Sequence, residues 1–214
     1  MRLYTYFRSS AAYRVRIALN LKALPYEAVP VHLLRDGGEQ LGAAFRAVNP
    51  GALLPALEDG DTTVTQSLAI MEYLEERHPL VPLLPADAAG RARVRGLAMD
   101  IACDTHPLGN LRVLKYLVHT LKLDEEAKLE WLRHWMGLGL ATVEEHLARD
   151  VATGRFCHGD TPSMADCCLV PQVFNARRFG LDLESYPNIA RVDANCAALP
   201  AFQAAHPSAQ PDAE

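Results

Sequence analysis

The stretch LYTYFRSSAAYRVRIALNLK, residues 3–22, changes period part-way along and so limits what the chain can fold into. Leu3, Thr5 and Phe7 alternate with Tyr4 and Tyr6, the two-residue period of a half-buried strand. From Tyr13 the period is helical: Val15, Ala18 and Leu19 share one face, and Arg14 and Lys22 are expected on the wet side. Between strand and helix stand Ser9 and Ser10, whose hydroxyls suit an N-cap. Such a turn aims a helix N-terminus at whatever binds there. Amides without helical acceptors and the positive end of the dipole favour an anion, and two adjacent hydroxyls can donate to it. A thiolate meets that description.

Further along, Tyr26 to Leu33 reads as a second strand, placed at a sheet edge by Pro30. Phe45 lies near the end of a short helix that stops before Asn49, and a third strand runs from Leu53. Pro55 inside that strand is either on an edge or preceded by a cis peptide bond. The turn Glu58 to Thr63 forms a hairpin with a short strand before Gln66, and QSLAIMEYLEERHP is helical. Pro79, Pro82 and Pro85 then punctuate a linker. Beyond Asp87 the period is helical throughout. Val94, Leu97, Ala98 and Ile101 lead to Leu111, Leu114, Leu117 and Val118 across a kink at Pro107. A long helix from Glu125 to Arg149 turns Trp131, Leu132, Trp135 and Met136 inward, and Ser163 with Asp166 forms a capping box before the next helix. The tail AAHPSAQPDAE has too little apolar surface to order itself. The chain therefore divides into a mixed α/β domain over residues 1–80, a linker over 81–87 and an all-helical domain over 88–214 with a disordered tail.

A net charge of −5 gives no electrostatic reason to expect nucleic acid or an anionic membrane as partner. No apolar run reaches the roughly 18 residues of a membrane span, and Met1 leads directly into a strand, so the cytoplasm is the default location. The five cysteines show no CxxC pairing and read as reduced, mostly buried thiols. No histidine pairs with another ligand at a metal spacing, so no metal site is expected.

Five separated segments, RSSAAYRVRIALNLK, NPGALLPAL, QSLAIMEYLEE, CDTHPLGNLRVLKYL and GDTPSMADCCLVPQVFNARRF, together resemble the zeta class of glutathione transferases. That group includes the bacterial maleylacetoacetate and maleylpyruvate isomerases. The resemblance implies a thioredoxin-like N-terminal domain built on a mixed four-stranded sheet, a C-terminal helical bundle, a homodimer, and glutathione as cofactor. Ser9 and Ser10 match the serines of the family's SSC motif, which helps hold the glutathione thiolate. Leu54 and Pro55 match the cis-proline loop, whose backbone pairs with the tripeptide like an added strand. Gln66 and Ser67 match the pair that receives the γ-glutamyl end, Gln40 a position facing the glycine end, and His106 and Asn110 flank the kink where they can approach glutathione.

The family's isomerases act on short dicarboxylates, and arginine suits them because its planar fork grips a carboxylate and keeps its charge. Arg8, Arg112 and Arg178 match in this respect. There are departures: Ala11 stands where the family has the cysteine of SSC, and Gly51 and Ala52 replace a more polar pair. The nucleophile in the family's mechanism is the thiolate of glutathione itself, so loss of a protein thiol need not abolish isomerisation. The same residues leave two other readings open: a transferase that conjugates or dehalogenates small electrophiles such as α-halo acids, and a non-catalytic glutathione-transferase-like binding module.

Overall fold

The computed structural model describes residues 1–214 and divides them into two bodies, Met1–Leu83 with Ala197–Glu214, and Leu84–Cys196. The first is built on a four-stranded sheet of order β2-β1-β3-β4, where β1 is Arg2–Thr5, β2 Glu27–Pro30, β3 Ala56–Asp59 and β4 Thr62–Thr65. β1 runs parallel to β2 and antiparallel to β3, which pairs antiparallel with β4. Pro30 closes β2 on the sheet edge, where its missing donor costs no ladder bond. The Leu54–Pro55 bond is cis, and the ladder begins only at Ala56, opposite Tyr4.

Helix α1 (Ser10–Leu21) makes the parallel crossover, α2 (Ala43–Val48) is short, and α3 (Ser67–Arg77) follows β4. Leu3, Val15, Leu19, Leu57, Ile70 and Leu74 fill one side of the sheet, and Tyr4, Val31, Phe45 and Ala56 the other. The strand expected to be half buried is therefore enclosed on both faces, and every residue from Leu3 to Phe7 is buried.

Enclosure also overturns the expectation that Arg14 and Lys22 face water, since both are buried together with Arg16. Helix α1 packs against α3 and against α9 (Pro200–Ala205), so it has no fully wet side. Lys22 Nζ lies 2.7 Å from Glu75 Oε2 and also donates to the carbonyls of His78 (2.9 Å) and Val81 (2.8 Å). Glu75 Oε2 in turn accepts from Leu83 N at 2.9 Å, so one ion pair pins the chain leaving α3.

The tail is likewise ordered. Ala205 and Pro207 are buried, Arg16 Nε donates to Ala205 O (3.1 Å) and Phe7 N to Asp212 Oδ2 (3.0 Å), while just before the tail Asn20 Nδ2 donates to Ala201 O (3.0 Å). Its composition is poor in apolar surface, yet its carbonyls supply acceptors that buried side chains of α1 require.

The second body is helical: α4 (Ala88–Met99), α5 (Leu111–His119), α6 (Glu125–Arg149), α7 (Met164–Arg178) and α8 (Pro187–Ala197). A longer interruption replaces the expected kink at Pro107. The backbone widens to a π-turn over Asp100–Thr105, tightens to a 3-10 turn over His106–Gly109 and restarts at the Asn110 cap of α5. The π-turn touches α6 at Gly139, where a Cβ would fall on the Thr105 side chain. Leu132, Met136, Leu140, Val143 and Leu147 form the buried stripe of α6, while Trp131 and Trp135 are only partly covered. The capping box is present: Asp166, fully buried, accepts from Ser163 N, Ser163 Oγ and Cys157 N.

Replacing Lys22 by Met leaves Glu75 as an uncompensated buried charge, and urea denaturation is expected to show a loss of about 3–5 kcal/mol.

Candidate active site

The site begins where β1 ends. Ser9 is the N-cap of α1, in extended conformation, and its Oγ accepts from Ala12 N at 3.2 Å. Because the hydroxyl oxygen is the acceptor in that cap, its proton remains available to donate outward. The Ala11 amide lies in the first turn, where the helix offers it no acceptor. Ser10 is buried. The neighbouring Arg8 lies over the Phe7 ring, 4.8 Å from its centroid, and its Nη2 donates to Tyr6 Oη at 2.8 Å. That contact fixes one edge of the guanidinium and leaves the other for a second acceptor.

A second helix N-terminus belongs to the same body. No side chain caps α3, whose boundary residue Gln66 is exposed at φ 72°, a left-handed value that a non-glycine residue adopts at a cost. Ser67 is buried, and its Oγ accepts from Arg14 Nη1 at 3.1 Å. The buried arginine thus ties the first turns of α1 to the start of α3. Sequence periodicity missed it; the available signal was two cations in a helix and a third at its C-cap, between two strands, which must find internal acceptors if the helix is enclosed.

Two further elements complete the first body's share. Asn49 Nδ2 donates to Leu53 O (2.7 Å) and Asn49 Oδ1 accepts from Gly51 N (3.0 Å), a local network that shapes the loop before cis-Pro55. Ala52 there takes φ 52°. Leu54 precedes the ladder, so its backbone polar groups are not committed to β1 or β4. Gln40 is buried with Oε1 lacking a hydrogen-bond partner, an acceptor awaiting a donor. Gly38 (φ 120°) lies close against this amide: a Cβ there would stand 2.6 Å from either terminal atom of Gln40.

The remaining expected residues lie in the second body. Asn110 Oδ1 accepts from Arg112 N at 3.1 Å, so that oxygen is already engaged in capping α5. Arg112 is exposed in the first turn of α5, and Arg178 is exposed at the last residue of α7 with its guanidinium 5.1 Å from the Phe179 centroid. His106 opens the 3-10 turn.

Comparison with known proteins decides the family. A model described as the glutathione S-transferase N-terminal domain matches residues 3–82, and one described as the C-terminal domain matches residues 139–192. A probable maleylacetoacetate isomerase from Vibrio cholerae is 51% identical over 211 residues, covering 99% of this chain and 97% of that protein. The holo structure of a maleyl pyruvate isomerase, described as a bacterial glutathione S-transferase of the zeta class, is 51% identical with a TM-score of 0.97 over 100% of both chains. The chain belongs to the zeta class of glutathione S-transferases. A maleylacetoacetate isomerase from Methylobacterium extorquens AM1, solved with malonate and glutathione bound, is 46% identical with a TM-score of 0.96, again over 100% of both chains.

For a zeta-class transferase the serine turn is intact in geometry although Ala11 takes the cysteine's place, because Ser9 alone makes the cap. Ser9→Ala is expected to lower stability by about 1 kcal/mol in a urea titration, the usual cost of losing a side-chain N-cap.

Proposed function

We propose that this protein is a glutathione-dependent cis-trans isomerase of maleylacetoacetate or maleylpyruvate, acting in aromatic catabolism. The observation that carries the reading is the pair of anion-favouring helix N-termini in one body, α1 at Ser9 and α3 at Ser67, joined through Arg14. One suits a thiolate and the other a carboxylate, and glutathione carries both. Ser9 and Ser10 serve the thiolate, Gln66 and Ser67 the γ-glutamyl carboxylate, and the Leu54 backbone before Pro55 the tripeptide's own amides. Gln40 serves the glycine end. His106 and Asn110 remain proposed glutathione contacts.

A thiol with a pKa near 8.5 is mostly protonated at neutral pH, and a helix N-terminus with a hydroxyl donor lowers it. The thiolate adds to the cis double bond at the carbon β to the carbonyl, and the electron pair moves to the oxygen as an enolate. The former double bond then rotates, and collapse of the enolate expels the thiolate to leave the trans product. No electrons are gained or lost overall and the thiolate is regenerated, so the protein has to keep it ionised, stabilise the enolate and hold the carboxylates. Arg8, Arg112 and Arg178 are proposed as the carboxylate ligands. A homodimer located in the cytoplasm is part of the same proposal.

Purified protein assayed spectrophotometrically with each maleyl substrate, coupled to hydrolysis of the trans product, tests this directly. Turnover is expected only when glutathione is present. Arg8→Ala and Arg178→Ala are expected to raise the substrate KM about tenfold or more, the scale of one lost charge-assisted contact, with glutathione still bound. Conjugation of α-halo acids outpacing isomerisation would replace the reading with that of a general transferase.

A further inference from the structure

β1 ends at Thr5, so the backbone from Tyr6 to Ser9 lies beyond the ladder and needs partners from elsewhere. Ser9 N turns back on Tyr6 O (2.9 Å), and two side chains provide further partners. Arg16, enclosed in α1, donates through Nη1 to Thr5 Oγ1 (2.9 Å) and Tyr6 O (3.3 Å), and through Nη2 to Phe7 O (3.0 Å). Asp212, almost the full length of the chain away, accepts the Phe7 amide on Oδ2 at 3.0 Å. Phe7 is thus held by its N–H from one side and its carbonyl from the other, and its ring is the surface on which the Arg8 guanidinium rests.

The other support of Arg8 is the Tyr6 hydroxyl, which accepts from Nη2. The Tyr6 ring is buried, and the His32 ring meets it edge-on at 4.9 Å. His32 Nδ1 accepts from the amides of Leu34 (3.1 Å) and Arg35 (2.7 Å), and its Nε2 lies 3.2 Å from Glu214 Oε1 without making a hydrogen bond to it. The C-terminal segment therefore holds one of the two supports of Arg8, Phe7, through Asp212.

Asp212 is half-buried. Its Oδ1 is buried with no hydrogen-bond partner, an arrangement that an uncharged acceptor would make less costly. Its carboxylate lies near Arg16, whose pKa burial lowers to about 10 against the smaller opposing effects of Tyr26, Tyr13 and, least of the three, Asp212.

We propose that Asp212, through the Phe7 amide, and Tyr6, through its hydroxyl, are positioning residues that set the place of the Arg8 guanidinium and so the grip on one substrate carboxylate. The inference rests on the assignment of Arg8 as a substrate ligand made above. It makes the C-terminal segment a part of the substrate site's support, although no residue of that segment need touch substrate.

A double-mutant cycle on the full chain, with glutathione saturating, tests it. Asp212→Ala is expected to raise the substrate KM about three- to tenfold, the scale of one lost hydrogen bond, with kcat and glutathione affinity within about twofold. Asp212→Asn, whose amide oxygen can accept the same N–H, is expected to restore KM. In an Arg8→Ala background Asp212→Ala is expected to add nothing, since the contact it tunes is gone. Additive effects, or an unchanged KM in Asp212→Ala while Arg8→Ala raises it, would overturn the positioning role alone. If Arg8→Ala leaves KM unchanged, the assignment of Arg8 itself falls and the inference with it. Tyr6→Phe, which keeps the ring and removes the acceptor, gives a second cycle read in the same way should Asp212→Ala not fold.

Discussion

A strand buried on both faces can offer chemistry only from its ends, and that constraint organises the N-terminal body. Alternate residues of β1 fill two separate apolar clusters, and its backbone groups are taken up by β2 and β3. The first backbone available to a ligand is the one that leaves its carboxyl end, the stretch from Tyr6 to Ser9. Open sheets generally bind at this end, because helix N-termini and loops converge there. Here Ser9 caps α1 at that point, and cis-Pro55 stands just before the ladder position opposite Tyr4.

Enclosing the sheet means enclosing α1, and α1 carries cations. Moving a guanidinium or ammonium out of water is expensive unless hydrogen bonds replace hydration, so each must be matched to fixed acceptors. Arg16 meets four, three of them backbone carbonyls, and with a pKa of about 10 it remains charged at neutral pH. Lys22 meets a carboxylate and two carbonyls, and Arg14 meets Ser67. The three fall at the places where irregular chain has to be held: the exit of β1, the end of α3 and the start of α3. Geometry and specificity are the gain, since apolar replacements of buried ion pairs are often at least as stable.

The helical body solves a related problem with carboxylates and amides. Asp166 is wholly buried, and desolvation raises its pKa even though three donors favour the charged form. Its bonds join the start of α7 to the Cys157 backbone. The interrupted stretch between α4 and α5 is held by Trp131 Nε1 on Leu108 O (2.8 Å) and by Thr105 Oγ1 on Asp100 O (2.8 Å), after which Asn110 restarts a regular helix. Arg112 and Arg178 stand exposed at helix ends, where a guanidinium keeps its hydration.

Much of this was legible in the sequence because local chemistry decides it. The change of period at Ser9, the turn residues around Asn49 and Pro55, the capping box at Ser163 and the stripe along α6 all arise from interactions within a few residues, and periodicity reports those directly. The serine turn was visible as a candidate anion site for the same reason, whereas the start of α3 entered as a candidate only through the family resemblance. Periodicity could not show that β1 has no wet face, that Arg14 and Lys22 turn inward, or that the tail around Asp212 is ordered. These depend on what packs against each element from far along the chain: α9 against α1, Glu75 against Lys22, Asp212 against Phe7. The sequence by itself determined the strand–turn–helix at the N-terminus, the hairpin that follows Pro55, the long helix α6 and an anion-favouring turn at Ser9. Only the tertiary structure decided which charges had to be buried, because the desolvation of a side chain depends on neighbours that local sequence does not contain.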